Sequence, residues 1–341
     1  MCGNFNMDDG ETLEFFNPFI NYEIVNNKPL LDSYPTYIDD NYIGYIQSGG
    51  IIKRKANDYV LLLPVVFGAH KHRAIYYATS TNLESWTFHK RKILDTNSIE
   101  FAKKDGNIFS TNNPFLFEEN KYLVLLGVEC PDGNYTAAYM IIDSDLNIIQ
   151  KPTKIRIPQL EGNLNSYYPL SIINHDGVYR FLIYDNNRNY NTHKIYEVTT
   201  LDILKNFNEG INNQSLQCII DSETSSGYLK GKMDDASYIT YNSELYIIIG
   251  SEEYPSEYLT SLNREYGLIH LDKTKWAHDN RSPLIINPMT LHHKFPELEW
   301  AADHLGGFIS PIFKDNYLYL FLTMGSDNPD YLLSGIKLKL E

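Results

Sequence analysis

The chain has 341 residues, 43% of them hydrophobic and 13% aromatic, with 29 basic against 43 acidic residues and a net charge of −14. That apolar and aromatic content excludes a disordered chain, and the acidic balance excludes a polycationic surface for nucleic acid. No apolar run approaches the ~18–20 residues of a membrane-spanning helix, so neither nucleic acid nor a membrane is an expected partner.

Tyrosine stands out, at 27 residues against 16 phenylalanines and 3 tryptophans. Residues 1–10 (MCGNFNMDDG) lack the basic and apolar regions of a secretory signal, so a cytoplasmic location is expected. Cys2 supports one alternative, the first mature residue of a lipoprotein. Cys2, Cys130 and Cys218 show no CxxC spacing. They point to a reducing compartment without a disulfide framework, and Cys130 and Cys218 read as small apolar side chains.

In chain order, residues 13–25 (LEFFNPFINYEIV) form an apolar stretch suited to a strand. Five segments then share one motif, a short strand, a polar turn and a strongly apolar, tyrosine-bearing strand: residues 49–67, 113–128, 168–184, 236–250 and 308–323. The turns are rich in Asn, Asp and Gly, which tolerate positive φ in hairpins. Counted from Tyr59, Tyr122, Tyr179, Tyr246 and Tyr317, the steps are 63, 57, 67 and 71 residues. A third strand follows in each unit, at residues 74–87, 136–148, 194–205, 264–276 and 331–341. Residues 88–94 and 154–157 are candidate fourth strands. Residues 201–207 predict one or two helical turns, and residues 206–231, rich in Asn, Ser and Gly, a long loop.

Five recurring antiparallel units predict an all-β fold, a five-bladed β-propeller in one domain spanning 1–341. The approximate blades are 47–105, 108–160, 163–220, 232–290 and 302–341. The last has three clear strands, so the N-terminal strand 13–25 is expected to join it and close the ring. A β-sandwich is the competing fold, and it leaves the five recurrences unexplained.

First strands of propeller blades line the axis, so polar residues at their starts mark an axial pocket. The sequence offers residues 47–50 (QSGG), 110–113 (STNN), 165–168 (NSYY), 232–235 (KMDD) and 302–306 (ADHLG). Carboxylates at second-strand exits, Glu129, Asp185, Glu252 and Glu253, are expected on a solvated rim or the reverse face. Tyr59, Tyr122, Tyr179 and Tyr246 read as packing between sheets, whereas Tyr167 and Tyr168 are placed to stack on a sugar. His70, His72, His292 and His293 lack partners at ligand spacing and read as loop histidines.

Residues 75–86 (IYYATSTNLESW), and residues 113–117 (NPFLF) leading into 121–125, resemble blade elements of the five-bladed propeller glycosidases, the arabinanase/xylosidase and invertase/levansucrase superfamily. The resemblance spans residues 47–340. It implies an axial carbohydrate pocket and carboxylate acid/base chemistry, in which paired carboxylates cleave a glycosidic bond through an oxocarbenium-like transition state. The carboxylate set is degenerate. The blade-one aspartate would fall at residues 47–50, which hold none, and Asp39 and Asp40 lie upstream.

The expected catalytic residues are therefore Asp234 and Asp235, Glu252 beside the pliant Gly250-Ser251 pair, Asp303 and His304. Expected substrate contacts are Gln47, Asn112, Asn113, Tyr167 and Tyr168. No metal ligand set and no cofactor are expected, apart from an axial calcium. The resemblance allows that ion because a blade-five histidine, here matched by His304, helps some members hold a calcium or a water cluster. Glu161-Gly162 is similar to the family's acid pair, though far upstream of Tyr168. Residues 129–132 (ECPD) match an invertase-like motif but follow a strand instead of preceding one.

The expected function is a glycoside hydrolase-like enzyme acting on a small carbohydrate. The missing blade-one carboxylate keeps two alternatives open. One is a non-hydrolytic lyase, isomerase or cyclase using His or Tyr proton transfer, and the other a non-catalytic sugar-binding propeller.

Overall fold

The tyrosine-rich segments carry no apolar/polar alternation, and the computed structural model of the protein shows the reason. Each is the second strand of a small antiparallel sheet buried on both faces. The structure describes residues 22–26, 28–31, 35–68, 72–111, 113–161, 165–187, 192–212, 215–223, 232–252, 264–271, 276–277, 284–286, 304–325 and 332–340. Within them, five sheets of four to six strands form a five-bladed β-propeller.

Strand side chains alternate between faces, so each blade fills two cores. In blade one, Asp58–Phe67 sends Tyr59, Leu61, Leu63 and Val65 into a core shared with blade five. Val60 and Leu62 enter a core shared with blade two. Five such cores separate neighbouring blades around the ring. Each fully buried aliphatic or aromatic side chain in them contributes roughly 1.5–3 kcal/mol. Tyr59, Tyr122 and Tyr246 are buried in these layers and Tyr179 packs against one, as their position in the motif predicts.

The ring is closed by the N-terminal strand. Tyr22–Ile24 runs antiparallel to the last strand, Leu332–Lys339, with Tyr22 opposite Leu338 and Ile24 opposite Ile336. This covers an edge whose backbone groups would otherwise be unpaired. Ile24 and Val25 then enter the two cores that flank blade five. Residues 13–21 of the expected strand lie outside the described residues.

Several element boundaries differ from the sequence reading. The fourth strand of blade two is Ile148–Lys154, and not residues 154–157, because Ile155 and Ile157 turn inward to the core between blades two and three. Residues 206–231 are not simply a loop. They hold the end of the helix Ile203–Glu209 and the fourth strand of blade three, Leu216–Asp221. The helix is capped by Asp202, whose carboxylate accepts from Lys205 N–H, and it buries Ile203 and Phe207 one turn apart. Cys130 carries a free thiol, but Cys218 is in a disulfide, its partner lying outside the described residues. That corrects the reading of Cys218 as a plain apolar thiol and removes the cysteine argument for a reducing compartment.

Blades three and four are also joined by a buried polar network. Tyr238 donates its hydroxyl to Glu197 at 2.5 Å, and Arg180 pairs with the same carboxylate at 3.1 Å. Burial raises the pKa of Glu197 against the opposing pull of Tyr238 and Arg180. Tyr238→Phe leaves a buried acceptor short of one donor and is expected to cost about 1–3 kcal/mol, read from urea unfolding; an unchanged midpoint would contradict this role.

Candidate active site

Antiparallel pairing gathers three strand ends at one face of every blade: the start of the first strand, the end of the second and the start of the third. Tyr167, Asp185 and Lys194 are successive cross-strand neighbours in blade three. Lys232, Glu252 and Arg264 are their counterparts in blade four. In blade two the row is Ile108, Val128 and Thr136, and in blade five His304 stands opposite Gly325. Second-strand exits therefore share the face of the first-strand entries, which corrects their expected place on the reverse side. Glu129 and Asp185 are not solvated either, at 7% and 5% exposed.

The polar clusters sit within the first strands more than ahead of them. In blades three, four and five these strands are Asn165–His175, Lys232–Tyr241 and His304–Lys314. In blades one and two the inner strand is broken. Residues 47–50 separate Asn41–Ile46 from Ile51–Lys55, and residues 111–114 separate Ile108–Ser110 from Phe115–Glu118. A break exposes backbone groups that must find other partners. Ser48 N–H donates to Thr323 Oγ1 at 3.2 Å and Ile51 N–H to Asn113 Oδ1 at 2.9 Å. Asn113 Nδ2 donates on to the Pro311 carbonyl, and Ser310 Oγ to the Gly49 carbonyl. Asn113 thus bridges blades one and five across the ring.

At position 49 of blade one no side chain fits. A Cβ at this position would lie 2.4 Å from Ser110 Oγ and 2.5 Å from the Leu62 carbonyl oxygen. Gly49→Ala is accordingly expected to destabilise the fold by at least the ~1–3 kcal/mol of an overpacked core, and wild-type thermal stability in that variant would refute the close approach.

Asp235 is fully buried, and both its carboxylate oxygens accept from Ile309 N–H, at 3.1 and 3.0 Å. It ties the axial strand of blade four to that of blade five. Gln47 Oε1 accepts from Arg73 Nη1 at 3.1 Å, while Arg73 Nη2 donates to Tyr45 Oη at 3.3 Å. Tyr167 and Tyr168, at 3% and 7% exposed, point to opposite sides of their strand. Tyr167 fills the core between blades two and three, and Tyr168 packs on Phe109, Tyr135 and Tyr184 in the next. Rings packed in this way have no open face for a sugar, contrary to expectation. Asp234, Glu252 and His304 lie on strands at this face, their side chains outside the description; Asn112 and Asp303 are outside the described residues. The expected axial calcium, centred on His304, falls there too.

Two carboxyls at equivalent second-strand exits have opposite electrostatics. Burial pushes Glu129 up, but Lys103 at 2.6 Å and two donors from Asn107, at 2.9 and 2.8 Å, outweigh it and hold the group below its ordinary range. Asp185 is raised to about 6 by burial, which its neighbour Lys194 only partly offsets. Lys194 is engaged elsewhere, 2.7 Å from Asp221, and Asp185 Oδ1 is buried without a hydrogen bond among the described residues. The sequence reading places Asp185 on a solvated rim or the reverse face; its only signal is a carboxylate ending an apolar second strand.

No protein-family model matches the chain, and no curated protein matches it in sequence. Solved structures do share its fold. A thermostable family-43 glycoside hydrolase superposes with a TM-score of 0.60 at 16% identity, over 90% of this chain and 94% of that one. β-1,2-Mannobiose phosphorylase from Listeria innocua gives 0.61 at 12% identity, over 94% and 97%. An exo-1,5-α-L-arabinanase from a bovine ruminal metagenomic library gives 0.56 at 11% identity, over 89% and 95%. At these identities the likeness is one of fold, and that fold is the five-bladed propeller the sequence predicts.

Proposed function

We propose that the protein cleaves a glycosidic bond in a small carbohydrate, with Asp185 as general acid. The observation that carries this reading is a buried carboxyl, raised to about 6, at the strand-start face of the propeller. A protonated carboxyl there donates its proton to the departing glycosidic oxygen as the C–O bond breaks, and the sugar develops oxocarbenium character. A second carboxylate, from Asp234, Glu252 or Asp303, activates water on the opposite side of the ring, and His304 is a further acid–base candidate. Gln47, held by Arg73, orients a sugar hydroxyl. Asp235 acts as a positioning residue through its bond to Ile309. The structural neighbours, hydrolases and a phosphorylase acting on carbohydrates, support the substrate class.

The crowding at Gly49 favours a second reading of the nucleophile. Where blade one holds no carboxylate, inorganic phosphate can attack the anomeric carbon directly. It needs one protein acid and cationic neighbours, and Arg73, Lys194 and Lys232 are on this face. Incubating the full chain with β-1,2-mannobiose, 1,5-α-arabinobiose and sucrose, with and without phosphate, separates the two. Free sugar in both conditions supports hydrolysis, and a sugar phosphate formed only with phosphate supports phosphorolysis. No turnover across a broad glycoside panel in either condition would sink the reading.

A further inference from the structure

At the same face, blade one holds a part-open cavity of about 130 Å³. It lies between the hairpin formed by Tyr37–Ile38 and Asn41–Ile46, the third and fourth strands of the blade, and the connection to blade two. One water needs only ~10–15 Å³, so the space suits a ring-sized solute better than a lone ion.

Beneath the cavity lie Phe67 and Tyr76, 5% and 3% exposed and packed into the core between blades one and five. Phe67 and Tyr76 meet edge to face at 6.2 Å, and His72 stacks on Phe67 at 4.7 Å. Its walls carry acceptors, Asp39, Asp95 and Asp105, among the donors Arg73, Lys92 and Asn97. These partly pair with one another: Lys92 Nζ lies 2.5 Å from Asp95, and Asn97 Nδ2 donates to Asp105 at 2.7 Å. Burial, then Asp39 and Asp95, push the Tyr76 phenol up to about 12, so it remains a protonated donor at neutral pH. Arg73 Nε is buried beside the cavity with no hydrogen-bond partner, while the other guanidinium nitrogens hold Gln47 and Tyr45. Asp39 and Asp40 both adopt positive φ, 47° and 61°, the conformation of a tight two-residue hairpin turn that carries Asp39 to the rim.

We infer that this cavity binds one neutral, hydroxyl-rich ring, a single sugar unit, at a place distinct from the axial pocket. The inference rests on the carbohydrate reading above. The vicinal hydroxyls of such a ring both donate to the carboxylates and accept from guanidinium, ammonium and phenol. A phosphate or sulfate would face three carboxylates, and an apolar ligand would bury them without partners. Arg73 joins the cavity wall to Gln47, so occupancy here bears on the lip of the axial site.

Hydrogen–deuterium exchange of the full chain, with β-1,2-mannobiose, 1,5-α-arabinobiose and sucrose as probes, tests the site. The expected result is protection of residues 37–46 and 92–105 by at least one probe. That binding should weaken at least tenfold in a Tyr76→Phe, Lys92→Ala double variant and persist in Asp185→Asn. Protection confined to residues 182–194 and 232–236 overturns this inference and leaves the carbohydrate reading standing. Protection at 37–46 and 92–105 that the double variant does not weaken overturns the inference as well. No protection at 37–46 and 92–105 by any probe overturns the inference, and the carbohydrate reading is then decided by the turnover panel.

Discussion

Asp185→Asn is expected to lower kcat by 10²–10⁴-fold, the range that a positioned general acid supplies, while making the folded protein more stable above pH 6. Both effects have one cause. The carboxyl is raised from its ordinary value of 3.8 to about 6 by burial, so the folded state holds the proton more tightly than the unfolded chain does. Stability from this group is therefore fully present below about pH 4 and is lost as the pH rises through about 6. Above that, the folded state carries a buried charge with Lys194 turned to Asp221. At 1.36 kcal/mol per pKa unit, the penalty is on the order of 2–3 kcal/mol, which the neutral amide removes. Thermal unfolding of both proteins at pH 4 and pH 8 should show the variant gaining only at the higher pH. The wild-type rate should fall above about pH 6, where the acid is ionised. A variant with wild-type turnover and no pH-dependent gain in stability would remove Asp185 from the mechanism.

Asp235 should separate into a structural and a chemical part. Asp235→Ala leaves Ile309 N–H without its acceptor in a fully buried position, and is expected to cost about 1–3 kcal/mol. Asp235→Asn retains an amide oxygen for that N–H and should recover most of the loss. Activity in the Asn variant then decides the role. A positioning residue leaves kcat within about tenfold of wild type, whereas a carboxylate that handles a proton leaves a deficit of 10²-fold or more. Equal stability in the Ala variant and the wild type would refute the tie between blades four and five.

The expected site residues and the surroundings the structure gives them differ for a reason of geometry. A first strand that starts with polar residues is legible in sequence, and those positions do lie at the candidate face. Which of them remain free is not legible. Asp235 and Asn113 are taken up by backbone groups of other blades, up to 198 residues distant in sequence. Tyr167 and Tyr168 look like a sugar platform because adjacent tyrosines in a strand alternate faces. In a propeller blade both faces are cores, so both rings are buried. Asp185 is expected on a rim or the reverse face, although antiparallel pairing returns every second strand to the first-strand face; its raised pKa comes from burial, which only the folded ring supplies and Lys194 only partly offsets.

The sequence by itself determined the architecture. Five recurrences of a polar turn followed by an apolar strand, near 65 residues apart, admit five similar antiparallel sheets, and an unpaired last blade calls for an N-terminal strand to close the ring. Those inferences hold because hairpin turns and two-sided burial are local properties of the chain. The tertiary structure alone decided which polar residues join the blades and which keep a reactive group, because partners, burial and charge at the axis come from strands that meet only when the ring closes. It also placed tyrosines such as Tyr59, Tyr122 and Tyr246 in the cores between blades, and left Asp185 at the candidate face as a carboxyl that burial raises to about 6.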